Sequence, residues 1–436
     1  MFHTFKGGIM PPLRKELTGN SSLENLSVPQ VCYLPLQQHK GIPSVPVVKA
    51  GDLVDEGQLV ARAEGAGSAN IHASVPGRVV EIVQAQSVYG MQPAIVIEAE
   101  GAFGKTGRVK DSGEWVNFSR DELVQKVRDA GLVNLGDTGY PADLTGTTVT
   151  GKKTDILIIN CTAVEPYITS DEILMRTHPD EIIEGILIAL KILNIQKAVI
   201  AIDNKNSNAA LTLTDALSKI KSPYGITIKK LKSRYPLGAE KQLVFSTLGR
   251  VIKSGRTAAD GGVSLHDAAT IFALREAVVL DKPLIERYIT VSGSMIKSPG
   301  NYKVRIGTRI ADIAEECGGL KGKAARIVMG GPMSGTAIND MNIPVVKSTS
   351  AVLFLSDDEA HTGSEQTCIR CGRCVKVCPM GLLPCKIATA SAKGETGKAL
   401  MFHPEMCIMC GSCSYTCPAH IPLADMIYKV NEIIAG

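Results

Sequence analysis

Residues 368–379, CIRCGRCVKVCP, hold four cysteines and a closing proline, and CIMCGSCSYTCP at 407–418 repeats the spacing. No other feature restricts the fold as tightly. Both runs read C-x2-C-x2-C-x3-C-P, so eight of the chain's twelve cysteines fall in two short windows. Cys32, Cys161, Cys317 and Cys385 are scattered. A disulfide framework would instead spread pairs through a short secreted chain. The arrangement points to metal chemistry in a reducing compartment, hence the cytoplasm. Pro379 and Pro418 lack the N–H that would extend a helix, so each run stops there.

The spacing resembles that of bacterial two-cluster ferredoxins, in which three cysteines hold one cubane and the fourth reaches the other. The resemblance implies Cys368, Cys371, Cys374 and Cys417 on one [4Fe–4S] cluster, and Cys407, Cys410, Cys413 and Cys378 on the second. Structural zinc is the competing reading, but zinc sites pair two C-x2-C knuckles across a longer loop. Cys385 stands outside the pattern and reads as an apolar filler. Arg370, Arg373, Lys376 and Lys386 surround the first run without an acidic residue between 368 and 386. Such charge either raises the potential of the first cluster or is simply solvated.

Composition narrows the remaining classes. A chain of 436 residues supports two to four domains. Its 47 basic and 43 acidic residues leave a net charge of +4 with no long basic run, which speaks against nucleic acid as a partner. The N-terminal residues lack the apolar core and cleavage site of a signal peptide. The most apolar stretch, 182–202, is interrupted by Glu184, Lys191 and Lys197, so no membrane-spanning helix is expected. Membrane association would come through a partner.

The chain ahead of the clusters changes character three times. Residues 40 to 100 alternate short strands with glycine turns, similar to the barrel-sandwich fold of lipoyl and biotinyl carriers. No lysine occurs between Lys49 and Lys105, so only the scaffold is shared. Between 154 and 250, apolar strands (TDILIIN, KAVIAID, GITIKKL) alternate with helices. One helix is expected over 179–193 with Pro179 in its first turn, and another closes at Gly249. The pattern is an α/β layer on a parallel sheet, with ligands at the strands' carboxyl ends. That directs attention to 160–171 and to Asp203-Asn204-Lys205. Residues 285–336 read as a small mixed module similar to soluble-ligand β-grasp modules, with Thr308 capping a helix.

Together, the fold class is α/β plus β and multidomain. It comprises a barrel-sandwich hybrid (1–110), an α/β flavin- or nucleotide-type domain (111–280), a β-grasp module (281–340), a connector (341–364) and a two-cluster ferredoxin-like tail (365–436).

This order, with TFKGGIMPPLRKELT, IHASVPGRVV, EPYITSD, AIDNKN, YPLGAEKQL and both cysteine runs, resembles the C subunit of Rnf-type ion-translocating electron-transport complexes. The resemblance covers nearly the whole chain. It implies a peripheral oxidoreductase subunit on the cytoplasmic side of the inner membrane. Electrons would pass between NADH, through FMN, and partner subunits or a ferredoxin-like protein by way of the two clusters. Its α/β domain resembles the flavin subunit of respiratory complex I.

The chain departs from the family at the flavin residues. Against G-x-G-G-x-G-F-P-T-x-x-K it reads NLGDTGYPADLT, keeping Gly136, Gly139 and Pro141, with Asn134, Asp137 and Thr145 altered. Against N-G-A-E-C-E-P-Y it reads NCTAVEPY, keeping Asn160 and Glu165, with Ala163 for an acid. Against V-Q-N-V-G-T it reads LHDAAT, keeping Thr270, with Asp267 for an Asn. The family's FMN and NADH residues would thus be Gly136, Gly139, Asn160, Glu165, Glu240 and Thr270. Glycine lets backbone N–H groups approach a phosphate, and added carboxylates oppose one.

Three readings remain: an NADH- and FMN-fed entry subunit, a flavin-less relay or docking subunit of the same complex, and a cobalamin-reductase-like iron–sulfur flavoprotein. His72 and His266 read as turn or surface residues, and GGPMSG at 330–335 as a loop between modules.

Overall fold

The computed structural model describes residues 4–65, 67–103, 114–136, 153–360 and 363–435. Gly139, Asp137, Pro141 and Thr145 lie outside the described residues.

Two facing sheets form the barrel sandwich. One is antiparallel, in the order Val31–Pro35, Gly90–Ala99, Gly77–Ser87, Leu53–Val54. The other joins Val45–Pro46, Leu59–Arg62 and Ile71–His72. Period-2 alternation turns Leu34, Val60, Ile71, Val79, Ile95 and Ile97 into the shared core.

The next layer is a four-stranded parallel sheet, in the order Gly225–Leu231, Lys197–Asp203, Ile156–Cys161, Val263–Asp267. Its strands are near-continuous apolar runs because helices cover the sheet. The helix Pro179–Leu193 begins on its proline and ends on Asn194 in the left-handed conformation. The helix Glu240–Leu248 ends on Gly249, also left-handed. From Ile156–Cys161 the next two strands step outward in one direction, and Val263–Asp267 pairs on the other side. The strand order therefore reverses between Ile156–Cys161 and Val263–Asp267, where Asn160 stands opposite Asp267. A crevice opens at such a reversal, beyond the carboxyl ends of the strands.

A six-stranded mixed sheet follows, ordered Leu23–Asn25, Gly300–Arg305, Glu286–Ser292, Ala351–Leu355, Arg326–Met329, Thr336–Ile338. Two expectations are corrected here. The supposed connector, 341–364, supplies Ala351–Leu355, a fully buried strand in the middle of this sheet. The AVLFL run is as apolar as any core strand, and the sheet closes only with it. Thr308 does not cap the following helix. Its hydroxyl donates to the Arg305 carbonyl at 2.8 Å, and Arg309 takes the cap position before Ile310–Glu316.

Two buried cations tie these layers together. The Lys347 ammonium donates to the carbonyls of Asn70 and Gly131, and burial pushes its pKa down to about 7. Arg287 donates to the carbonyls of Thr349 (3.0 Å) and Leu135 (3.3 Å). The tail is helical, and its last helix, Leu423–Ala435, packs Ile427 and Val430 against Leu382, Ile387 and Ala390. Among the described residues no helix is long and apolar enough to cross a membrane.

Candidate metal centres and the adjoining cleft

The two cysteine runs fold as near-copies. Arg370 and Met409 both take positive φ (56° and 53°) just before the second cysteine of their run. Gly372 and Gly411, just after that cysteine, are left-handed as well (72° and 70°), so two left-handed residues turn the chain around it. A short helix then carries the third cysteine in each run, in Arg373–Val377 and Ser412–Tyr415.

The fourth cysteine of the first run stands with the thiols of the second. Cys378, Cys407, Cys410 and Cys413 together line one small apolar pocket, walled by Met380, Leu382, Pro384, Ile408 and Ile427. Burial first, and then the neighbouring thiols, pushes Cys413 up to about 12 and Cys407 up to about 11. Four thiols gathered in an apolar pocket fit a positively charged metal–sulfide core, which would hold them as thiolates. Backbone N–H groups approach the sulfurs as well: Leu382 to Cys378 and Met409 to Cys407, both at 3.4 Å. These four residues would hold one [4Fe–4S] cluster.

The other set is more open. Cys368 and Cys371 are exposed and Cys374 is buried. Cys374 shares an apolar cluster with Cys417. Cys385 is not a buried filler. It is half-exposed, packs in the same cluster, and sits within hydrogen-bonding reach of the Cys374 thiol.

The N-terminal GGIMPP stretch has a structural use that its sequence does not disclose. The Gly8 N–H donates to the Val377 carbonyl at 2.7 Å, and Ile9 bridges Tyr235. A Cβ on Gly7, whose φ is +71°, would stand 2.6 Å from the Cys378 carbonyl oxygen. This segment thus clamps a cluster ligand to the α/β domain. Gly7→Ala is expected to cost on the order of 2 kcal/mol or more from backbone strain and overlap. Iron should be lost from the second cluster first. A denaturant midpoint and an iron count check this, and unchanged values of both would contradict the clamp.

The crevice at the sheet's reversal point is a cleft with about 1660 Å³ of empty space, part of it open to solvent. Gly136, Asn160 and Glu165 line it, together with Asp171, Asp267 and Gly238. Asn160 donates through Nδ2 to Asp267 Oδ1 at 2.8 Å and accepts from the Thr162 N–H and hydroxyl. Glu165 accepts from the Met333 N–H at 2.9 Å. The 330–335 loop is thereby drawn to the cleft, and it also covers Gly411 beside Cys410.

Two expected ligand residues face elsewhere. Thr270 is buried behind the cleft, where its hydroxyl accepts from the Leu135 N–H at 2.9 Å and fixes the start of the glycine loop. Glu240 accepts from the Ala258 N–H, and burial raises its pKa. The cleft lining reaches Ala239 and stops short of it. Asp203, at the end of its strand, ties the loop at 163 by accepting from the Ala163 N–H at 2.9 Å. His72 and His266 are buried rather than at the surface. His266 pairs with Asn134 Oδ1 at 2.7 Å and Ser264 Oγ at 3.0 Å, which explains Asn134 as a packing partner.

The cleft meets the metal site directly: Ile408, Met409 and Cys410 form part of its wall. Its size, its glycines and its place at the strand ends fit a flavin ring system.

Family models match an RnfC barrel sandwich hybrid domain (residues 3–102), the Nuo51 FMN-binding domain (127–276), an SLBB domain (288–337) and a 4Fe-4S dicluster domain (367–421). The C subunit of the proton-translocating ferredoxin:NAD(+) oxidoreductase complex of Clostridium ljungdahlii is 37% identical over 394 residues, 90% of this chain and 85% of that one. The C subunit of the Na(+)-translocating complex of Acetobacterium woodii is 34% identical over 391 residues, covering 89% and 88%. The C subunit of the ion-translocating oxidoreductase complex of Rhodobacter capsulatus is 37% identical over 386 residues, covering 87% and 73%. In fold, the chain is similar to the NAD+-reducing [NiFe]-hydrogenase in its H2-reduced state (TM-score 0.53, 16% identity, 76% of this chain and 67% of that one). With its four modules in the same order as the sequence implied, the chain belongs to the C-subunit family of Rnf-type ion-translocating ferredoxin:NAD(+) oxidoreductase complexes.

Proposed function

We propose that this chain is the peripheral electron-transfer subunit of such a complex, on the cytoplasmic side of the membrane. Electrons would pass between a redox ligand in the cleft and partner subunits through two [4Fe–4S] clusters. One observation carries the reading: Cys410 belongs both to the thiol set in the apolar pocket and to the wall of the cleft. A centre held by Cys378, Cys407, Cys410 and Cys413 therefore adjoins whatever occupies the cleft. The set with exposed Cys368 and Cys371 faces outward, where Ile369 is 68% exposed among Arg370, Arg373 and Lys376.

In the cleft, Gly136, Asn160 and Glu165 would hold the ligand, and NADH would reach it there. A bound flavin supplies the exchange between hydride and single-electron chemistry. Glu165 keeps the 330–335 loop closed over the passage, and the apolar wall around the buried thiols keeps water from them.

Anaerobic NADH added to the assembled complex should bleach the cluster absorption of this subunit, as dithionite does. Clusters that dithionite reduces and NADH does not would sink the cleft-fed route.

A further inference from the structure

The strand Val263–Asp267 and the helix Ala268–Val279 meet at Asp267, on the cleft wall. The start of a helix at the end of a parallel strand is where α/β sheets hold a ligand's phosphate. Here the chain places its own anion. Asp267 Oδ1 accepts from Asn160 at 2.8 Å, and Oδ2 lies where a Cβ on Gly136 would overlap it. The open face of that glycine, which a phosphate would need, is covered by a carboxylate. Glu165, Asp171 and Glu172 add acidity to the wall, and Lys40 is the basic residue among its described lining. The buried Arg287 feels Asp171 and Asp267 electrostatically, yet its guanidinium engages the carbonyls of Thr349 and Leu135 and is not part of the wall.

A carboxylate accepts hydrogen bonds and donates none. It therefore suits the hydroxyls of a polyol chain and opposes a dianion. We propose that Asp267 makes the cleft select against a terminal phosphate, so that it binds a flavin of the riboflavin class more tightly than FMN. The inference rests on the reading of the cleft as the redox-ligand site. Like charges at contact distance in such a half-buried place weaken binding on the order of 10- to 1,000-fold.

The test is a pair of equilibrium-dialysis titrations, riboflavin and FMN, on the full chain prepared anaerobically with its clusters. The wild type should bind riboflavin at least about tenfold more tightly than FMN. Asp267→Asn, which keeps the side chain's shape and removes its charge, should tighten FMN relative to riboflavin and bring the ratio to about one or reverse it. FMN binding as tightly as riboflavin in the wild type, an unchanged ratio in the variant, or no binding of either flavin would overturn the proposal. The wild-type ratio stands as a test even if the variant fails to fold. Failure of the electron-transfer reading would show differently, as missing clusters or clusters that NADH does not reduce.

Discussion

Cys417→Ser should remove the cluster built on Cys368, Cys371 and Cys374, although it lies in the other run. Iron should fall from about eight to about four atoms per chain, and the cluster on Cys407, Cys410 and Cys413 should survive. Cys417 packs in an apolar cluster that contains both Cys374 and Cys413, while Cys378 lines the pocket of the second run's thiols. Cys378 stands with the thiols of the other run, and the likeness of the two runs makes the same crossing the expectation for Cys417. A serine oxygen is a poorer ligand than a thiolate for iron–sulfide, and the open set has little protein around it to hold a three-ligand cluster. Electron paramagnetic resonance on the variant identifies which cluster is gone. Loss of the 407–413 cluster instead would show that the ligation is not crossed.

Cys378→Ser should have the larger functional effect while removing the same amount of iron. On the proposed route its cluster would stand between the cleft and the exposed set, so the route would be cut in the middle. The exposed cluster should still be reduced by dithionite, and reduction by NADH in the assembled complex should drop to background. Cys378 is also the residue clamped by the N-terminal segment, through Gly7 and the Gly8 N–H on Val377. The side chain rather than the backbone is changed, so the fold should persist, as an unchanged denaturant midpoint of the remaining domains would show. Persistent NADH-driven reduction of the exposed cluster would mean that electrons enter elsewhere.

Much of this is legible in the sequence because it is local. The cysteine spacing implies a crossed ligation pattern, and the pocket that joins Cys378 to Cys407, Cys410 and Cys413 is consistent with it. Pro179 and Gly249 mark helix ends where the structure has them. Alternating apolar strands and helices announce the parallel sheet and, with it, the crevice at Asn160. What is not legible depends on which distant segments meet. Leu135 precedes Thr270 by more than half a domain, so the hydroxyl that holds the loop looks like a ligand residue in the sequence. Glu240 looks similar until the Ala258 N–H is found on its carboxylate. The strand Ala351–Leu355 carries a plain apolar signal, but only the sheet order shows that it belongs at the centre of a module expected to end at 340. Asp267 is visible as a substitution, and its placement against Gly136 is not.

The most direct measurement is an iron and sulfide count on anaerobically prepared full-length chain, with electron paramagnetic resonance of the same sample after reduction. Two clusters held by crossed ligands would lie close enough for their spins to interact. The account predicts about eight iron and eight sulfide per chain and a spectrum broadened by two coupled [4Fe–4S] centres. A single isolated cluster, or bound zinc in place of iron, would contradict it.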